Sequence, residues 1–277
     1  MNKLIASIKL LRPVNLILSG TTVLISAAIV DALHEESLIL RGLIVVVAFT
    51  GASNALNDYL DLDADLINRR ERPLPKEDLS MKSALVLSVI LFGVGTALAM
   101  TAPKLSTFIA VGIAMPLMIA YNIRLKGTLL IGNAIVSAIL GMAFLFSGAL
   151  FGAVNRMITP ALLTFAFTLV REFIKDMADL EGDRQAGTIT FPVKYGLGSS
   201  AKVAIGMMLV LTVLLFVPFA IGIYSSNYLI TAMLGIGIPL AYIISLLVKS
   251  PSTNNCQTSA RVLKVCVFVG LLAVYLG

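Results

Sequence analysis

Long apolar runs, interrupted at intervals by polar, Pro-rich or Gly-rich stretches, fill almost the whole chain. The hydrocarbon core of a bilayer is about 30 Å thick, and roughly 20 residues of helix cross it. Only helices and closed barrels satisfy their backbone there, and unbroken apolar runs of this length mean helices. The pattern predicts about nine spanning helices, near 14–33, 40–60, 82–101, 104–122, 128–150, 157–178, 203–223, 226–248 and 260–276. Their separators are Arg72-Pro73-Leu74-Pro75, Pro103-Lys104, Lys126-Gly127, Asn155-Arg156, Gly196 to Ser200, Ser225-Ser226-Asn227 and Ser250 to Asn255. Ahead of the first run, residues 1–12 form an amphipathic piece. Leu4, Ile5, Ile8 and Leu11 share one face with Lys3, Lys9 and Arg12 off it, a pattern suited to the membrane interface. The expected fold is all-α and polytopic, a single domain over 1–277.

Composition agrees with the pattern. The chain is 58% hydrophobic and 13% charged, with a mean hydropathy of +0.96, whereas a soluble domain carries about 25% charged residues. The first apolar run exceeds a signal-peptide core of about 7–15 residues, so it reads as a retained helix. Cys256 and Cys266 form neither a disulfide framework nor a CxxC pattern. His34 is the only histidine, which excludes a zinc site built on histidines.

Charge sets the expected orientation. Of the 21 basic residues, 18 fall on the N-terminal stretch, the loops after even-numbered spans and the flanking helix ends, and only Arg41, Lys104 and Arg156 on the other side. The positive-inside rule makes the basic side cytoplasmic and, with an odd helix count, puts the C-terminus outside. The net charge of +6 is then mostly a topology signal. No nucleic-acid partner is expected, and membrane lipids surround the chain.

The chemistry concentrates in two acidic motifs. Asn57-Asp58-Tyr59-Leu60-Asp61-Leu62-Asp63-Ala64-Asp65 closes one apolar run, and Asp176-Met177-Ala178-Asp179-Leu180-Glu181-Gly182-Asp183 closes another. On a helix, Asp58, Asp61 and Asp65 share a face, with Asn57 at its border. A lone acidic cluster reads more readily as a solvated helix end than as a site. Here, however, each aspartate of the second motif follows its counterpart by 118 residues. Two matched carboxylate faces read as two walls of one metal site, and hard oxygen ligands of this kind suit Mg²⁺ bridging to phosphate. Arg69, Arg70, Arg72, Lys126, Arg171, Lys175 and Lys194 lie near the same helix ends. Acids and bases around a metal describe a diphosphate site with a greasy substrate. No GxxxxGK[ST] loop and no GxSxG elbow is present. Gly132, Ser137, Ala138, Gly141, Ala143, Ser147 and Gly148 mark close helix packing. Met142, Phe144 and Phe146 read as core or lipid-facing residues rather than tunnel lining.

Asn57-Asp58-x-x-Asp61-x-x-x-Asp65 resembles the first signature, NDxxDxxxD, of the UbiA superfamily of intramembrane prenyltransferases. Asp176-x-x-Asp179-x-x-x-Asp183 is similar to the second. Arg12-Pro13-x-Asn15 looks like the N-terminal element of that family, and Tyr121 with Lys126 like its central loop element. The resemblance implies nine helices around a central cavity capped by cytoplasmic loops. It also implies Mg²⁺-dependent ionisation of an isoprenyl diphosphate donor, followed by attack from an acceptor. Asn57, Asp58, Asp61, Asp65, Asp176, Asp179 and Asp183 would hold the metal and diphosphate. Asp58, Asp61 and Asp179 would be catalytic, with the acceptor's proton left open between Asp58 and Asp61. Arg12, Asn15, Tyr121, Lys126 and Lys175 would contact substrate by the same resemblance, and Arg69, Arg72, Arg171 and Lys194 are candidate substrate contacts because they lie near the same helix ends.

The run Arg171-Glu172-Phe173-Ile174-Lys175-Asp176, with Glu181-Gly182-Asp183 and Thr190-Phe191-Pro192-Val193, looks most like the branch that builds archaeal ether lipids. That branch adds a second geranylgeranyl chain to a lipid-phosphate acceptor, geranylgeranylglyceryl phosphate. An aromatic acceptor is the alternative. A cation-coupled transporter is a remoter one, since its charges would lie near the bilayer midplane. Phosphotransferases acting on CDP-alcohols carry Asp-Gly and Ala-Arg in their signature, and neither motif here does.

Overall fold

Backbone N–H and C=O groups cannot go unpaired in hydrocarbon, and every long apolar run is a helix. The computed structural model describes residues 3–277, the side chains of residues 64, 67 and 68 set aside. Residues 1 and 2 of the amphipathic piece thus lie outside the described residues. In chain order the helices are α1 (Lys3–Leu10), α2 (Pro13–Ile29), α3 (Glu36–Leu60), α4 (Leu62–Asn68), α5 (Met81–Ala99) and α6 (Lys104–Leu125). They continue as α7 (Ile131–Leu150), α8 (Val154–Ala178), α9 (Leu180–Gln185), α10 (Phe191–Ala220), α11 (Ser226–Lys249) and α12 (Thr253–Leu276). Among the described residues there is no strand. Among the described residues, eight helices are long and apolar enough to span, or nine if α1 and α2, bent by 54° at their break, count as one.

The expected helices are present, with shifted ends. α10 begins at Phe191, not near 203, because the Gly-Ser stretch taken for a linker is a kink inside the helix. Gly196 stands there at φ 78°, a conformation without penalty only for glycine. α12 begins at Thr253 because Ser252 caps it, accepting from Asn255 N at 3.3 Å. The polar run read as a linker is therefore partly a helix start. Wide turns over Phe108–Ala114 and Met233–Gly237 precede Pro116 and Pro239, whose rings would clash with the carbonyl four residues back.

The chain divides into two compact units, Met1–Lys126 with Met142–Ile158, and Gly127–Gly141 with Thr159–Gly277. In the first, Val23, Val45, Phe49, Ala99, Ile109, Phe146 and Leu150 form one buried cluster, and Ala6, Leu10, Ala55, Leu74, Leu79 and Ala84 form another beneath α1. Lipid is as apolar as leucine, so close fit and interhelical hydrogen bonds hold such helices together. Ser88 Oγ, for instance, donates to Ala52 O at 2.9 Å. Gly148 packs on Met157, where a Cβ would come within 2.6 Å of the methionine Cγ. In the second unit a Cβ on Gly141 would stand 2.8 Å from the Ala161 carbonyl oxygen. Both contacts are the tight approaches that the small residues predict. Phe144 and Phe146 are core residues.

The two acidic motifs belong to a longer internal repeat. α3 and α8 are each 25 residues long, and the steps from Glu36 to Val154, Leu60 to Ala178 and Pro13 to Ile131 are all 118.

Candidate active site

Asp58, Asp61 and Asp65 would share a face of one continuous helix. The structure instead bends the chain at the middle residue. α3 ends at Leu60, Asp61 takes φ −98° and ψ 9°, and α4 starts at Leu62. The second motif does the same at Asp179, with φ −93° and ψ 7°, between α8 and α9. The hydrogen-bond ladder survives both bends. Asp61 N bonds Asn57 O at 3.0 Å and Asp65 N bonds Asp61 O at 2.8 Å, while Asp179 N and Asp183 N bond Lys175 O and Asp179 O, each at 2.9 Å. Carboxylates are unfavourable at a helix C-terminus and favourable at an N-terminus. Restarting the helix puts Asp63 and Asp65, and likewise Glu181 and Asp183, in a first turn.

In the first unit, cations from three segments meet the motif. Arg12 Nη2 donates to Asn57 Oδ1 at 2.8 Å and to Asp58 Oδ1 at 2.5 Å. Arg72 Nη1 donates to Asp58 Oδ1 at 2.8 Å and to Asp65 Oδ2 at 2.5 Å. The Lys126 ammonium pairs with Asp61 Oδ2. Asp58 and Asp65 are buried, and charged side chains survive burial only when paired. Burial lowers the Arg12 guanidinium below its ordinary value, against the pull of Asp58. Burial likewise holds the Asp65 carboxyl above the usual carboxylate range, opposed by Arg72. Arg69 adds its positive charge to both of these neighbours. Arg12 reaches the motif from a left-handed corner between α1 and α2, at φ 57° and ψ 77°. Asn54 fastens that corner, its Nδ2 donating to Leu11 O at 2.9 Å.

In the second unit, Asn133 Nδ2 donates to Asp176 Oδ2 at 2.9 Å. Glu172 is buried on α8 and accepts from the Arg171 guanidinium and, at 3.1 Å, from Lys175 Nζ. The chain after the motif is tied down by Ile189 N on Gly127 O at 3.1 Å and by Thr188 Oγ1 on Asp183 O at 2.9 Å.

The expected site residues therefore fall into groups. Arg12, Asn57, Asp58, Asp65 and Arg72 form one bonded cluster, with Asp61 and Lys126 paired beside it. Arg171 and Lys175 serve Glu172. Lys194 is exposed, its ammonium 5.3 Å from the Tyr195 ring centroid. Asn15 is exposed on the first turn of α2, and Tyr121 opens a wide turn at the end of α6. Asn54 and Asn133 were not anticipated. Asn133 was findable, because it follows Asn15 by the same 118 residues that separate the aspartates.

The donors are those Mg²⁺ prefers, carboxylate and amide oxygens. Among the described residues, no three acidic, Cys or His side chains converge closely enough to hold an ion as they stand. The reason lies in the first cluster, where Arg12, Arg72 and Lys126 occupy the carboxylate oxygens as cations of the chain's own. Acids that already hold cations fit a site whose ligand brings both a metal and an anion.

This is an intramembrane prenyltransferase: the model of the UbiA prenyltransferase family matches residues 18–268, and the chain belongs to that family. It is 33% identical over 270 residues to digeranylgeranylglyceryl phosphate synthase of Methanothermobacter thermautotrophicus, covering 98% of this chain and 95% of the relative. A solved structure of a digeranylgeranylglyceryl phosphate synthase superposes with a TM-score of 0.80 at 28% identity, over 100% of this chain and 99% of that one. A UbiA homolog from Archaeoglobus fulgidus, solved with DMAPP and Mg²⁺, shares the fold at a TM-score of 0.64 and 16% identity, over 97% and 98% of the two chains.

Proposed function

We propose that the protein transfers a geranylgeranyl group from geranylgeranyl diphosphate to the free hydroxyl of geranylgeranylglyceryl phosphate, releasing diphosphate. We also propose that the acidic motif of each unit binds Mg²⁺ and diphosphate oxygens, on the cytoplasmic side as the charge bias suggests. The observation that carries the acceptor is the near full-length identity to digeranylgeranylglyceryl phosphate synthase. The Archaeoglobus homolog's DMAPP and Mg²⁺ support the donor and the metal.

In the reaction, the bond between the allylic carbon and diphosphate oxygen breaks, an ether bond to the glycerol oxygen forms, and the hydroxyl proton leaves. Asn57, Asp58, Asp61, Asp65, Asp176, Asp179 and Asp183 hold the metal. When bound, Mg²⁺ supplies positive charge to the departing diphosphate. Arg12, Arg72 and Lys126 are gathered at the first motif in advance, so little reorganisation is needed to neutralise the remaining phosphate charge. Asp58 or Asp61 takes the hydroxyl proton. Arg171, Lys175 and Lys194 offer positive charge to the acceptor's phosphate.

The test is an acceptor panel with purified protein, geranylgeranyl diphosphate and Mg²⁺, read by mass spectrometry. Geranylgeranylglyceryl phosphate should gain one geranylgeranyl unit, and EDTA should stop the transfer. Prenylation of 4-hydroxybenzoate alone would refute the ether-lipid assignment.

A further inference from the structure

The repeat of 118 residues extends beyond the aspartates. It carries α2 onto α7, α3 onto α8 and Asn15 onto Asn133. The two copies treat their leading carboxylate differently. Asp58 is held by two guanidinium groups, Arg12 and Arg72. Asp176 is held by the neutral amide of Asn133, which is itself buried. A guanidinium fixes a carboxylate and cancels its charge. An amide N–H fixes one oxygen and brings no countercharge of its own.

We propose that Asn133 is a positioning residue of the second acidic motif. By holding Asp176 Oδ2, it sets the carboxylate's rotation so that Oδ1 is presented to the metal. This rests on the metal–diphosphate reading above and adds a residue on a different helix, α7, to the machinery. Partners of this outer kind orient metal ligands, and their loss usually weakens metal affinity or activity by about 10–100-fold. Without Asn133, Asp176 can rotate among the side chains of its own helix. Lys175 beside it attracts the carboxylate and Glu172, one turn away, repels it, and both would turn it from its set direction.

The experiment compares the full chain with Asn133→Ala, Asn133→Asp, Asp176→Asn and the double variant N133D/D176N. Manganese binding is read by electron paramagnetic resonance in the presence of a non-ionisable thiolodiphosphate analogue of the donor, so no turnover is needed. The Mg²⁺ dependence of kcat is read alongside. Asn133→Ala should weaken metal binding about 10–100-fold, with kcat largely recovered at saturating Mg²⁺. Asn133→Asp sets carboxylate against carboxylate and should be worse. The double variant keeps one acid and one amide with their places exchanged, and should bind metal better than either of its parents. Unchanged manganese affinity in Asn133→Ala overturns the proposal. So does a loss that Mg²⁺ does not recover and that follows a fall in thermal stability, since that marks a packing role only. If wild type itself transfers no prenyl group, the failure lies with the proposed function instead.

Discussion

Replacing Arg72 by Met keeps the side chain's stem and removes its charge. The guanidinium bridges Asp58 Oδ1 and Asp65 Oδ2 at 2.8 and 2.5 Å. Its side chain is 14% exposed, and those of the two acids 3% and 8%. Removing one partner of a buried ion pair costs about 3–5 kcal/mol. Arg12 stays on Asp58, so the loss falls mainly on Asp65 and the lower end applies, about 3 kcal/mol. For a chain of this size that lowers the thermal midpoint by roughly 6–12 °C. The effect depends on pH in a definite direction. Burial already holds the Asp65 carboxyl above the usual range, and losing Arg72 raises it further. A raised carboxyl stabilises the fold while protonated. That contribution is complete below its unfolded value of about 3.9 and is lost as pH rises through the folded one. The variant should therefore resemble its parent in acidic buffer and fall behind it toward neutrality. The assay uses Cys256 and Cys266, both buried, which label with a fluorogenic maleimide only on unfolding. It is run in EDTA, so that no metal substitutes for the lost cation. Equal midpoints at neutral pH, or a gap that does not change with pH, would refute the reasoning.

Three further outcomes are expected. Asp61→Ala and Asp179→Ala should each abolish prenyl transfer while keeping the parent's thermal midpoint within a few degrees, since neither is a buried residue; full activity in either variant would remove it from the metal site. Gly141→Ala drives a methyl group to 2.8 Å from a backbone carbonyl that cannot swing aside, and overpacking of this kind costs about 1–3 kcal/mol, read as a lower midpoint in the same thiol assay. A cysteine placed at Arg70, in the loop between α4 and α5, should react with a membrane-impermeant maleimide only when the cytoplasmic face is open; labelling from outside intact cells would reverse the proposed orientation.

Much of this was legible in the sequence because membrane helices announce themselves by length. Eight expected spans have a helix at their centre, since nothing but a helix satisfies an apolar run in lipid. The first also has its helix, α2, whose 17 residues span together with α1. Helix ends were less legible. The Gly196 kink and the Ser252 cap use the same residue types as a linker, so composition alone does not separate a break from a bend. The aspartates were visible through their spacing, but the bends at Asp61 and Asp179 were not, because helix restart leaves the three-plus-four pattern intact. The pairings were out of reach. Arg12 lies 46 residues from Asp58 and Lys126 lies 65 from Asp61, and topology alone accounts for basic residues at those positions.

The corner at Arg12 sets a limit on how this protein can be stabilised. A left-handed backbone at a residue other than glycine costs on the order of 1–3 kcal/mol, and φ 57° places Arg12 there. Glycine would sit at ease in that conformation and contribute nothing to Asn57 or Asp58. Design rules that swap strained positions for glycine would therefore fail here, because taking a guanidinium from buried Asp58 costs about 3–5 kcal/mol, at least what the relaxed backbone returns, and the chemistry is blunted as well.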